Sequence, residues 1–140
     1  GEERYSGRVA RAIVEARPFT GTARLAQVIS DVMPAASKRG AGNIHPATRS
    51  FQAIRIAVNG ELDELESFLM RFDRWLKPGG RLAVITFHSL EDRLVKNAFR
   101  DRIKEGDYEE VLKGALLPTD NEIQANPRAR SAKLRAIKRL

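Results

Sequence analysis

The chain has no cysteine, only two histidines, one tryptophan and two tyrosines among its 140 residues. Without cysteine there is no disulfide framework and no thiolate chemistry, and a reducing compartment is permitted. Two histidines with no cysteine to join them do not suit a structural zinc site, so no metal is assigned. No apolar run nears the roughly 20 residues that cross a bilayer, and the start lacks an apolar signal segment. A soluble, cytoplasmic protein without a membrane partner is the expectation. Residue 1 is glycine rather than methionine, which fits processing, a residual tag or a start partway through a longer protein.

Acid is the scarcer charge. Against 25 Lys and Arg stand 18 Asp and Glu, leaving a formal net charge of +7 and an isoelectric point near 10.2. That balance suits a polyanionic partner, although many basic proteins never touch nucleic acid. The length is that of one ordinary domain, enough to bury about 70% of the unfolded surface.

What is present is most informative between Gly79 and Arg93. Pro78-Gly79-Gly80 punctuates the chain, because proline fixes φ and glycine accepts angles other residues resist. Leu82 to Phe87 then forms a nearly continuous apolar run with β-branched Val84, Ile85 and Thr86. Such a run predicts a parallel, central strand covered on both faces. Ser89 with Asp92 three residues on reads as a capping-box-like helix start, and Glu91 and Asp92 place negative charge at the positive end of the helix dipole. The helix is expected to begin near Leu90 and to continue through Leu94, Val95, Ala98, Phe99 and Ile103.

Upstream, Val9, Ile13 and Ala16 predict a helix ending at Arg17-Pro18. Thr22 caps a second, carrying Leu25, Val28 and Ile29 to Pro34. Ala35 to Ile44 reads as a loop of small residues with Lys38, Arg39, Gly40 and Gly42. Pro46 suits the first turn of a helix bearing Phe51, Ile54 and Val58, which Asn59-Gly60 kinks or interrupts. From Glu61 the stripe Leu62, Leu65, Phe68, Leu69, Phe72, Trp75 and Leu76 predicts an amphipathic helix running to Pro78, with its aromatics in the core. Downstream, Tyr108 to Leu117 reads as a strand, Thr119 with Glu122 as a second capping box opening a short helix that Asn126-Pro127 ends, and the alternating tail from Ala132 as a final strand. The C-terminal half is thus part of an α/β sheet.

Four segments together resemble the MraW/RsmH family: GEERYS at Gly1 to Ser6, HPATRSFQAIRIAVNGELDELESFL at His45 to Leu69, PGGRLAVITFHSLEDRLVK at Pro78 to Lys96, and NPRARSAKLRAI at Asn126 to Ile137. The resemblance implies an S-adenosylmethionine-dependent methyltransferase acting on the exocyclic amine of a cytidine in bacterial small-subunit ribosomal RNA. The fold it implies is α/β: a class I (Rossmann-like) methyltransferase sheet, mostly parallel and seven-stranded, with a helical insert. Residues 1–45 would belong to that substrate-recognition insert. Residues 46–140 would form the C-terminal part of the methyltransferase domain, with Leu82 to Phe87 as the fifth strand and the segments near Tyr108 to Leu117 and Ser131 to Leu140 as the last two. The glycine-rich loop, the acidic residue and the aspartate segment that hold the cofactor in this family precede the GEER motif, so no cofactor-binding residue is assigned. Gly40-Ala41-Gly42 is no substitute, since it follows no strand and lacks a third glycine. Gly7 and Gly60 depart from the arginine and the polar residue usual in the family.

Candidate site residues follow from placement. His88 and Ser89, at the carboxyl end of a strand, are pocket-edge candidates. His88 suits contact with a base or phosphate, or simply a bond to its own loop, and Ser89 suits a cap better than a nucleophile. Adjacent on an extended chain they point apart and form no hydrolase pair. His45, Arg49, Arg55, Arg93, Arg128, Arg130, Lys133 and Arg135 are the candidate RNA contacts, because cations that neutralise phosphates give salt-dependent binding. A solvated strand face serves the lysines as well, and Arg49 also suits a helix start. Asn126-Pro127-Arg128 lacks the second proline and the aromatic of the Asn-Pro-Pro-Tyr loop of other amine methyltransferases. Three functional readings remain: the C-terminal portion of the methyltransferase, acting on the small ribosomal subunit; a non-catalytic RNA-binding or interaction module derived from it; and a chain completed by homo-oligomerisation or by a separate N-terminal half.

Overall fold

The computed structural model describes residues 3–34 and 45–140. The segment read from sequence as a loop, with Lys38, Arg39 and Gly40-Ala41-Gly42, lies outside the described residues. The chain divides into two compact units, Gly1–Gly60 and Glu61–Leu140, whereas the sequence reading places a boundary near residue 45. The first unit ends at Gly60, whose φ of 62° is the left-handed conformation that ends the preceding helix. Glycine adopts it without the Cβ clash of other residues.

The first unit is helical. Its described elements are α1 (Ser6–Glu15), α2 (Thr22–Val32) and α3 (Thr48–Asn59). Helix α1 ends just before a cis Arg17–Pro18 bond, and α2 starts from an extended Gly21 rather than from a Thr22 cap. Val9, Ile29, Met33 and Ala47 form the buried cluster, with Ile13, Leu25 and Phe51 packed around it. Val9, Ile13, Leu25, Ile29 and Phe51 are apolar positions that recur at helical spacing, and the cap residues Met33 and Ala47 complete the core.

The second unit holds α4 (Glu61–Leu69), β1 (Arg81–Thr86), α5 (Ser89–Glu105), β2 (Tyr108–Glu110), α6 (Asp120–Ala125) and β3 (Lys133–Arg139). Helix α4 stops at Leu69, short of the Leu76 that the apolar stripe predicts. A separate 3₁₀ turn at Phe72–Arg74 carries the remaining aromatics. The core explains the break: Phe72 is 1% exposed and meets Phe99 and Tyr108 edge-on at 6.2 and 5.6 Å, among Leu69, Val95 and Ile137. Edge-to-face aromatic packing of this kind adds about 0.5–1.5 kcal/mol per pair beyond area burial.

The sheet order is β1-β3-β2, with β3 antiparallel to both neighbours. This corrects the expectation of a parallel strand at Leu82 to Phe87: among the described residues β1 pairs only with β3. It also corrects the expectation of cover on both faces. Leu82, Val84 and Thr86 turn towards the core, while Ile85 remains 57% exposed and Phe87 54%. An apolar run records that a strand can be covered twice, not which neighbour covers it. Beyond Glu110 the predicted second strand continues as a bond from the Val111 N–H to the Ala136 carbonyl at 3.1 Å and an isolated bridge between Leu116 and Leu134.

The glycine turn before β1 is pinned to β3. The Gly79 N–H donates to the Arg139 carbonyl at 2.9 Å, and the Arg139 N–H to the Gly80 carbonyl at 2.8 Å. The Arg139 guanidinium also donates to the carbonyls of Asp73 and Leu76, at 2.8 and 2.6 Å, tying the 3₁₀ turn to the sheet.

Candidate functional site

The carboxyl end of β1 and the start of β3 lie side by side, because Thr86 pairs with Lys133 in the antiparallel register. His88 and Ser89 follow directly on one strand. The 3₁₀ turn Pro127–Ser131, bearing exposed Arg128 and Arg130, leads into the other. Chain topology therefore gathers most of the C-terminal candidates at one end of the sheet.

Helix α5 begins one residue earlier than the sequence reading places it, and the capping pair shifts with it. His88, not Ser89, is the N-cap: its Nδ1 accepts from the Glu91 N–H at 3.3 Å. The Glu91 carboxylate accepts in return from the backbone N–H groups of His88 at 3.2 Å and Phe87 at 2.9 Å. With Nδ1 an acceptor, the neutral ring carries its proton on Nε2. That nitrogen is buried, 3.3 Å from Glu91 Oε1 but without a properly directed hydrogen bond. The imidazole thus closes the joint on itself. Ser89 is exposed and has an interaction partner of its own.

The shifted frame turns Asp92 onto the sheet. Its carboxylate is buried and accepts from Arg135 Nε at 2.8 Å, Arg135 Nη2 at 3.3 Å and Lys133 Nζ at 3.2 Å. The bond from Arg135 holds the carboxyl below the usual carboxylate range, with Lys133 adding to it and desolvation opposing both. Two of the candidate RNA cations are therefore engaged within the fold. Lys133 keeps 39% of its side chain exposed, whereas Arg135 keeps only 15%.

The other candidates stand more openly. Arg128 and Arg130 are exposed with no ion pair among the described residues. Arg93 is exposed on α5 and Arg55 on α3, each with an interaction partner. In the helical unit, the His45 Nδ1 accepts from the Ala47 N–H at 3.2 Å, which ties it to the approach to α3, and Arg49 is exposed on that helix.

Sequence reasoning passed over Arg4, in the turn before α1, and Arg8 and Arg11 on that helix, all exposed, of which Arg4 lies over the Tyr5 ring at 5.8 Å. Their i, i+4, i+7 spacing was the available signal. The opposite side of α1, with Val9 and Ile13, faces α3 across a cleft of about 400 Å³ that also borders Glu3, Ser50 and Ile54. In the sheet unit a second cleft, about 350 Å³, has an apolar floor of Phe99 and Ile103 and a rim that includes Lys96 and Lys104.

Among the described residues no group of His, Asp and Glu could hold a metal ion. The β1–α5 joint does not offer a cofactor cradle either. Backbone N–H groups there that would receive a ligand's oxygens already donate to Glu91, and no glycine-rich loop separates the strand from the helix. That joint therefore does not fit S-adenosylmethionine.

The MraW methylase family model matches residues 1–140. Similar curated proteins include those called ribosomal RNA small subunit methyltransferase H from Synechococcus elongatus, 54% identical over 142 residues, and from Cyanothece sp., 55% identical over 140. A third, from Acidobacterium capsulatum, is 52% identical over 139 residues. The alignments cover 99–100% of this chain but only 45–46% of those proteins, so the chain spans less than half the length of the curated relatives it matches. With the glycine turn, the strand and the His88–Glu91 joint falling inside one continuous match, the chain belongs to the MraW methylase family.

Proposed function

We propose that this chain is the C-terminal portion of a ribosomal RNA methyltransferase that transfers a methyl group from S-adenosylmethionine to the exocyclic amine of a cytidine in the small subunit. The observation that carries this reading is the family match along the whole chain to relatives about twice its length. The uncovered apolar face at Ile85 and Phe87 supports it, because a lone three-stranded sheet gains by further cover. The bound S-adenosylmethionine supplies the methyl group, and the residues that hold it belong to the part of the enzyme outside this chain. The described residues contribute the sheet end and the exposed cations that hold RNA phosphates. A cytidine in structured RNA must be turned out of its stack and its amine aligned, so positioning dominates the chemistry. The cytoplasm, where ribosomal subunits are made, is the proposed location; no helix among the described residues is long and apolar enough to cross a membrane.

The test joins this chain to the unmatched N-terminal half of the Synechococcus elongatus relative and supplies unmodified small subunits with labelled S-adenosylmethionine. Nucleoside mass spectrometry is expected to find the label on the cytidine amine. Label on another nucleoside overturns the proposed specificity. A joined protein that binds RNA and transfers nothing favours the non-catalytic module, for which the exposed Arg128 and Arg130 speak.

A further inference from the structure

The single tryptophan of the chain sits on the surface. Trp75 is 65% exposed, and its ring stacks on Phe68 with centroids 5.9 Å apart and planes 19° from parallel. Phe68 in turn packs against the buried cluster that contains Phe72, so the indole rests on a fixed support. A tryptophan normally buries most of its large apolar area, and leaving it in water forgoes that stabilisation. Its apolar stripe predicts a core position, but the end of α4 at Leu69 and the 3₁₀ turn carry it outward.

The exposed charged residues nearest it along the chain are all basic. Arg71, Arg74 and Lys77 are exposed at positions −4, −1 and +2 along the chain. Arg71 Nε donates to the Ser67 carbonyl at 3.0 Å, which anchors that side chain on the last turn of α4. Arg74 and Lys77 have no ion pair among the described residues. The one acid in the segment, Asp73, turns to Arg102, 3.8 Å away. An apolar protein partner laid over the indole would have to desolvate these cations without pairing them. A single-stranded nucleic acid matches both features, since bases stack on an aromatic face and phosphates meet the cations.

We propose that Trp75, supported by Phe68 and flanked by Arg71, Arg74 and Lys77, is a stacking platform for an unpaired base of single-stranded RNA. It rests on the proposed function only for the choice of RNA as the polymer. It adds a surface in the sheet unit separate from the β1–α5 joint, holding a nucleotide that is not the one methylated.

Because Trp75 is the only tryptophan, its emission reports the contact directly. The 140-residue chain is titrated with a single-stranded octaribonucleotide, with a duplex of the same length and with inorganic polyphosphate. Saturable quenching by the single strand alone is expected. By anisotropy of labelled RNA, Trp75→Ala weakens binding about tenfold or more, the loss typical of one stacked base, while Trp75→Phe retains most of the affinity. Arg74→Ala with Lys77→Ala lowers the slope of log K against log salt by about 1.4, two contacts at roughly 0.7 each. Equal quenching by polyphosphate, no binding of the single strand, or unchanged affinity in Trp75→Ala overturns the inference. In the joined enzyme, Trp75→Ala is expected to raise the KM for RNA and leave the modified nucleoside the same. Methylation with an unchanged KM refutes the platform alone, whereas failure of the parent enzyme to methylate cytidine refutes the proposed function and leaves the binding result standing.

Discussion

Replacing Asp92 with alanine removes the carboxylate that pairs with Lys133 and Arg135 between α5 and the sheet. The Arg135 fork, with its side chain 15% exposed, makes two bonds to that carboxylate. A hydrogen bond to a charged group contributes about 1.5–3 kcal/mol. The Lys133 pair is 39% exposed on its cationic side and adds at most about 0.5 kcal/mol after screening. Removing Asp92 also leaves a desolvated guanidinium without its counter-charge. Together these effects give a loss of about 3 kcal/mol, a large part of the ~4–12 kcal/mol available to a unit of this size. The melting temperature should fall by about 12–24 °C. Urea unfolding followed by Trp75 emission reads the sheet unit, and a cycle with Arg135→Met isolates the pair. A loss below about 0.5 kcal/mol, or a cycle that is simply additive, refutes the reasoning. The pH dependence supplies a second reading. Because the folded carboxyl is held below its ordinary value, the pair's stabilisation is complete above the unfolded pKa of about 3.9 and disappears as pH falls through the lower folded value. Asp92→Asn should lack that part of the acid loss.

Five further substitutions probe the packing and the helix caps. The Tyr108 hydroxyl is buried with no hydrogen-bond partner among the described residues, and burial pushes its pKa up, so Tyr108→Phe should raise the unfolding free energy read from urea titration by up to about 1 kcal/mol. A Cβ on Gly80 would lie 2.8 Å from the Lys77 carbonyl oxygen in the turn pinned to β3, and Gly80→Ala should cost about 1–3 kcal/mol in calorimetric melts. By contrast, a Cβ on Gly7 meets nothing within 4 Å, and Gly7→Ala should strengthen α1 by about 0.8–1 kcal/mol, read by thermal circular dichroism. His88→Ala should cost about 1 kcal/mol through loss of the capping pair, while Ser89→Ala leaves that pair intact, a contrast that hydrogen exchange at the Glu91 amide checks directly.

The turn, β1 and the approximate start of α5 were legible because glycine, proline and β-branched residues act locally. The capping frame was not, since His88 and Ser89 both precede an acid by three residues and only the sheet beneath shows which acid faces inward. Lys133 and Arg135 read as surface cations because the carboxylate that holds them lies 41 and 43 residues away. The apolar stripe ran on to Leu76 because a 3₁₀ turn can deliver Phe72 to the same core as a continued helix. Strand direction was illegible for the same reason: an apolar run does not name its partner.

The central claim is that this chain completes a methyltransferase whose cofactor is held by residues outside it. Calorimetric titration of S-adenosylmethionine tests it most directly, first into the 140-residue chain and then into that chain joined to the N-terminal half of a relative. The account predicts no binding heat in the first and one site per molecule in the second. Stoichiometric binding to the 140-residue chain alone would contradict it.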